Sequence, residues 1–168
     1  MSDETGELLE APLVIEYPFN RTTGPVIGAF LTGLKARRVL GIRDTEGRVV
    51  CPPVEYDPET GEPLTEMVEV GTEGEVTSWS WVANVRQDQP LSTPHALAFV
   101  RLDGADTAML HVVDVRGLAG SSPADPRAPS DAGDPSRMKT GMRVRVRWSP
   151  AREGSIRDIA CFVPLEGS

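Results

Sequence analysis

"HALAFVRLDGADTAMLHVVDV", residues 95–115, is two alternating runs joined at Asp103-Gly104. Alternation at period two sends successive side chains to opposite faces of a strand, and Asp-Gly supplies the backbone angles of a tight turn, so the stretch predicts a β-hairpin. Upstream, "EVTSWSWVANV" (75–85) reads as a strand with Thr77, Trp79, Trp81 and Ala83 on one face. Downstream, "RVRVRW" (143–148) puts Arg143, Arg145 and Arg147 on one face and Val144, Val146 and Trp148 on the other, and "SIRDIACFV" (155–163) adds a further strand.

Five strands of this spacing suit a small closed barrel of OB type, preceded here by a helix. In "TTGPVIGAFLTGLKARR" (22–38), Thr23 or Gly24 can cap and Pro25 suits the first helical position. Val26, Ile27, Phe30, Leu31 and Leu34 share a face, and Arg37 and Arg38 sit at the negative end of the dipole. Between helix and barrel lies "GIRDTEGRVVCPPVEYDPETGEPL" (41–64), with turn-like glycines at Gly47 and Gly61 and a Pro52-Pro53 step. It resembles a metal-binding ribbon without metal ligands. The acids of "TEMVEVGTEGEV" (65–76) read as a solvated connection into the first barrel strand, and "GLAGSSPADPRAPSDAGDPS" (117–136) as a long mobile inter-strand loop too polar to order itself. The expected division is an arm and helix (1–38), a ribbon-like segment (39–70) and a barrel (71–168) with its loop at 117–137.

Chemistry-bearing motifs are sparse. The chain has no GxSxG elbow, no GxxxxGK[ST] phosphate loop and no HExxH. Cys51 and Cys161 are too few and too far apart for a disulfide framework and form no CxxC pair, so they read as free thiols in a reducing cytoplasm. His95 and His111 read as structural, and the two lysines, Lys35 and Lys139, as surface residues. The acids of "EYDPETGE" fail the calcium-loop pattern. A net charge of −8 disfavours generic binding to nucleic acid or anionic membranes, and the acidic start has neither the basic nor the apolar region of a signal peptide.

"PPVEYDPETGE", "GEVTSWSWV" and "GMRVRV" together resemble the zinc-ribbon/OB-fold family that accompanies thiolase-like proteins in acyl-CoA metabolism, over residues from about 17 to 165. Metal-binding members carry two CxxC knuckles, and their four thiolate positions fall here on Arg43, Glu46, Asp57 and Thr60. The resemblance therefore implies a ribbon without metal, its turns pinned by Arg43 reaching Asp57 or Glu46. It implies no cofactor of this chain's own and no catalytic residue.

The metal-free kind is similar to partner subunits of thiolase-fold aldolases that cleave steroid-CoA side chains by retro-aldol chemistry. That likeness implies a heterotetramer with two chains of each kind. The expected partner surface is Tyr17, Phe19, Asn20, Arg21, the helix stripe, Pro52, Pro53 and Tyr56. Arg143, Arg145 and Arg147 are candidates for coenzyme A phosphates. Two other readings stand beside this one: a coenzyme A-handling companion of a thiolase or hydroxymethylglutaryl-CoA synthase, and a single-strand nucleic-acid binder stacking bases on Trp79 and Trp81.

Overall fold

The computed structural model describes residues 13, 15, 16, 22–118 and 133–165. Tyr17, Phe19, Asn20 and Arg21 lie outside the described residues, as do residues 119–132 of the expected loop. The elements are α1 (Gly24–Lys35), β1 (Val39–Arg43), β2 (Val49–Val50), β3 (Met67–Val70), β4 (Glu73–Val82), β5 (His95–Leu102), β6 (Met109–Val113), β7 (Arg143–Trp148) and β8 (Ile159–Pro164). Short 3₁₀ turns stand at Val115–Leu118, Pro135–Arg137 and Ile156–Asp158.

Strands β4 to β8 form the expected closed five-stranded barrel, in the order β4-β5-β6-β8-β7. The hairpin at Asp103-Gly104 is present, with Ala98 opposite His111 and Val100 opposite Met109. A parallel pair, Val113 with Phe162, closes the ring between β6 and β8. On β7, Val144 and Val146 are buried and Arg145 and Arg147 exposed, as the alternation predicts.

On β4 a bulge changes the phase of the strand. The register against β5 slips between Val76 and Ser78, so Val76, Trp79 and Trp81 all pack on the core although an unbroken period of two would turn the indoles outward from Val76. Thr77 is the bulged residue, and its hydroxyl donates to the Phe99 carbonyl at 3.2 Å. Trp79 and Trp81 lie opposite Ala98 and Ala96, two fully buried small residues that leave room for the rings. With Trp148 the indoles cover the barrel core.

The remaining three strands form a separate sheet in the order β2-β1-β3. The expectation of a solvated connection after residue 64 is corrected here: Val39 to Ile42 pair antiparallel with Met67 to Val70. Its acids are anchored as well as solvated, because Glu69 pairs with Arg38 at 2.7 Å and Glu66 with Arg43 at 2.8 Å.

Helix α1 starts at Gly24 and has Pro25 in its first turn, but Thr23 makes no side-chain cap. Its end is a Schellman turn. Arg38 N–H donates to Gly33 O and Arg37 N–H to Leu34 O, each at 2.9 Å, with Arg37 at φ +61°. Arg152, from the β7–β8 connection, donates to the Lys35 carbonyl at 3.1 Å and ties that end to the barrel. Val26, Phe30 and Leu34 are buried, whereas Ile27, read as part of the same stripe, is 38% exposed.

One hydrophobic cluster runs through all three parts. Phe30 and Leu34 of the helix, Val39, Val49, Cys51 and Val70 of the small sheet, and Val100, Met109, Val144 and Phe162 of the barrel belong to it. A fully buried side chain such as Phe162 contributes on the order of 1.5–3 kcal/mol. Polar stitches reinforce the join: Val49 N–H donates to Asp106 at 2.7 Å, and the Thr107 hydroxyl bridges Cys51 N–H (2.8 Å) and Cys51 O (3.0 Å).

Candidate functional site

The segment between β1 and β3 contains two turns, each started by an aspartate. After β1, Asp44 Oδ1 accepts the N–H groups of Glu46 (3.0 Å) and Arg48 (2.8 Å), and Gly47 N–H closes on Asp44 O. Further on, Asp57 Oδ1 accepts the N–H groups of Glu59 (2.8 Å) and Thr60 (3.1 Å), and Gly61 N–H closes on Asp57 O. A carboxylate acting on nearby backbone N–H groups is the physical basis of such turns. Gly47 and Gly61 supply the positive φ at which each chain reverses.

Hydrogen bonds and an ion pair join the two turns. Asp57 Oδ2 accepts both the hydroxyl (2.6 Å) and the N–H (3.1 Å) of Thr45 in the other turn. The Thr45 hydroxyl, the Glu59 N–H and the Thr45 N–H hold this buried carboxyl far below the usual carboxylate range. The Arg48 guanidinium adds a second link, 2.8 Å from Asp44 and 3.4 Å from Glu46 in its own turn and 3.6 Å from Glu59 in the other. Burial alone would raise the Asp44 carboxyl, but the bonds from Arg48 outweigh it and the group is held low.

The expected pinning by Arg43 is not what forms. Its Nε meets Glu66 at 2.8 Å and another of its nitrogens donates to Gly47 O at 2.8 Å, so it fastens β1 to β3 and the first turn to its own strand. Of Arg43, Glu46, Asp57 and Thr60, Arg43 is thus engaged with Glu66 and Gly47 and not with Asp57 or Glu46. Their donor chemistry does not fit zinc, because a guanidinium cannot ligate and Asp57 is consumed by four hydrogen bonds. Among the described residues, no group of three or more His, Cys, Asp or Glu side chains is placed to hold a metal ion. The residues that do the joining, Thr45 and Arg48, were missed in the sequence. The signal was there in "DTEG" and "DPETG", two aspartate-to-glycine turns.

Beside the second turn, Tyr56 is 62% exposed and Val54 37%, while Pro52 is exposed and Pro53 buried, so Pro53 is not available to a partner as expected. An open groove runs from the start of α1 to this segment, lined in part by Pro25, Ile27, Glu55 and Tyr56. Glu55 Oε1 accepts the Ile27 N–H at 3.2 Å and so caps the helix that Thr23 leaves uncapped.

The three outward arginines of β7 differ from one another. Arg143 donates to both oxygens of Asp103, with Nη1–Oδ1 at 2.7 Å. Arg147 donates to the buried Asp114 at 2.9 Å, which also receives the Arg116 Nε at 3.0 Å. Burial would raise the Asp114 carboxyl, and the two guanidinium groups overcome this and hold it low. Among the described residues Arg145 alone of the three makes no ion pair, so a phosphate would find one arginine there rather than three.

The remaining reactive groups are withdrawn. Burial pushes the Cys51 thiol up to about 12 and Cys161 to about 11. His111 lies edge-on to Phe162, ring centres 5.7 Å apart, and burial lowers its pKa. His95 is fully buried, with Nδ1 2.7 Å from the Thr93 carbonyl. No helix among the described residues is long and apolar enough to cross a membrane.

Comparison with known proteins finds a likeness for part of the sequence and for the fold. The family model described as ChsH2, C-terminal OB-fold domain, matches residues 67–121. A crystal structure of a protein of unknown function from the DUF35 family of Sulfolobus solfataricus is 21% identical, covers 74% of this chain and 78% of its own, and superposes with a TM-score of 0.52. The Ltp2-ChsH2(DUF35) aldolase is 20% identical, with 86% of this chain and 95% of that chain covered and a TM-score of 0.51. No curated protein matches the chain. At these identities the two structures speak for the fold, and residues 67–121 are similar to the ChsH2 C-terminal OB-fold domain.

Proposed function

We propose that this chain is a non-catalytic accessory subunit of a thiolase-fold acyl-CoA aldolase. The observation that carries the reading is the match of residues 67–121 to the ChsH2 OB-fold domain, in a chain whose fold is also that of the Ltp2-ChsH2(DUF35) aldolase. In the proposed reaction the partner breaks the Cα–Cβ bond of a 3-hydroxyacyl-CoA. A base takes the hydroxyl proton as the ketone or aldehyde forms, and the thioester enolate is reprotonated at Cα. The acyl group is a steroid side chain in this reading, and this chain stabilises the partner and shapes its acyl tunnel. The ribbon is a metal-free descendant of a zinc ribbon, kept as a docking shape.

Two features of the structure support this over its competitors. Arg143 and Arg147 are engaged by carboxylates of the same chain, which weakens the reading as a coenzyme A-handling companion. Trp79 and Trp81 are partly buried against the barrel core, which restricts the ring area open to stacking bases. The test is co-expression with a candidate thiolase-fold aldolase subunit from the same genome. The pair is expected to co-purify as two chains of each kind; a thiolase-fold subunit that purifies as a stable dimer without this chain at equal expression contradicts the proposal.

A further inference from the structure

Charge is distributed very unevenly along this molecule. Residues 43–66 carry seven carboxylates against Arg43 and Arg48, and both arginines are already paired within the segment. Residues 139–158 reverse the balance, with six basic side chains against Glu153 and Asp158. The acidic end also presents the apolar surface of Ile27, Val54 and Tyr56, each more than a third exposed. A surface that combines an apolar recess with excess negative charge is complementary to a basic side chain with an apolar stem.

The groove between α1 and the second turn has that form. Pro25, Ile27 and Tyr56 line it, and Glu55 is its charged member. Glu55 Oε1 is held by the Ile27 N–H, which fixes the carboxylate at the groove, while Oε2 has no partner among the described residues. Gly24 makes room for it: at φ +73° a Cβ there would stand 3.1 Å from Glu55 Cδ and closer still to Oε1. The carboxylate is thus oriented by the Ile27 N–H in the space that Gly24 leaves open.

From this arrangement we infer that the groove receives an arginine or lysine side chain of the partner subunit. The aliphatic stem lies against Tyr56, Pro25 and Ile27, and the charged head meets Glu55 Oε2. An arginine gains further from the face of the Tyr56 ring. The inference rests on the accessory-subunit reading and adds the chemistry of the contact.

The test uses the co-expressed pair, with wild-type, Glu55→Gln, Tyr56→Ala and Phe99→Ala chains. Gln keeps an acceptor for the Ile27 N–H and removes only the charge, so the helix cap survives. Phe99 is 46% exposed on the outer face of the barrel and serves as the control. Glu55→Gln is expected to weaken association about 10-fold at low salt and to flatten its salt dependence. Tyr56→Ala is expected to weaken it about 10- to 100-fold and Phe99→Ala to leave it unchanged. A photo-reactive phenylalanine analogue at position 56 is expected to cross-link a partner peptide containing arginine or lysine. Wild-type affinity in both groove variants would overturn the inference, as would cross-links to a second copy or to residues 1–21 of the same chain, while a complex that still forms leaves the accessory-subunit reading standing. If the wild-type pair forms no complex, that reading fails and the inference with it.

Discussion

Asp57 joins the two turns by accepting four hydrogen bonds, two of them from Thr45. Asp57→Ala is expected to lower the melting temperature by roughly 5 °C, and Thr45→Ala by less, since it leaves the bonds within the second turn. The double variant should fall short of the sum, because both substitutions remove the same link. Equal, additive losses in thermal melts would show that the turns stand independently. The pH dependence follows from the direction of the shifts. Asp44, Asp57, Asp103 and Asp158 have folded pKa values below 3.8, so their stabilisation is complete above that pH and drains away as pH falls beneath it. His111 is also lowered, which means the unfolded chain takes up its proton first as pH falls through 6.5 and stability declines there, by at most about 1.4 kcal/mol per pH unit. Urea midpoints should therefore drop in two stages. His111→Leu should abolish the upper stage and keep the lower; an unchanged profile would assign the upper stage to another group. The aspartates were visible in the sequence as turn residues, but the partner of each was not. The resemblance pointed Arg43 to Asp57 or Glu46 through their opposite charges at positions that hold ligands in metal-binding members, whereas the observed bond depends on Glu66 arriving beside β1.

Strands were legible wherever one face meets the core and the other meets water. RVRVRW and the 95–115 hairpin announce themselves by alternation, and both stand where they were expected. Strand β3 was obscured because Glu66 and Glu69 read as solvated acids until Arg43 and Arg38 supply their counter-charges. The bulge in β4 was equally hidden, since a phase slip is set by the partner strand and not by the sequence alone. Gly74 sits where β4 pairs with β5 on one side and β7 on the other, opposite Leu102 and Val144. A methyl there would strike the Arg101 carbonyl and lie 2.9 Å from Leu102 Cα, and neither backbone atom can turn aside. Gly74→Ala is expected to cost about 3 kcal/mol in urea unfolding. A loss under about 0.5 kcal/mol would mean that the barrel seam yields at this point.

Helix, small sheet and barrel share one hydrophobic cluster, so the whole described body should unfold as a unit. Calorimetry is expected to show a single transition that a strong chelator does not move; two transitions, or one shifted by the chelator, would point to a separately stable or metal-held ribbon. The shared core was not legible because each segment's apolar face is visible in sequence but its destination is not. What was legible was the barrel, and the resemblance of the segment before it to a ribbon suggested a docking protein. The most direct measurement of that role is turnover by the reconstituted pair. With a 3-hydroxyacyl-CoA substrate, release of ketone or aldehyde is expected only when both purified chains are present, saturating at one of this chain per thiolase-fold subunit. Equal turnover by the thiolase-fold protein alone, or turnover by this chain alone, would contradict the account.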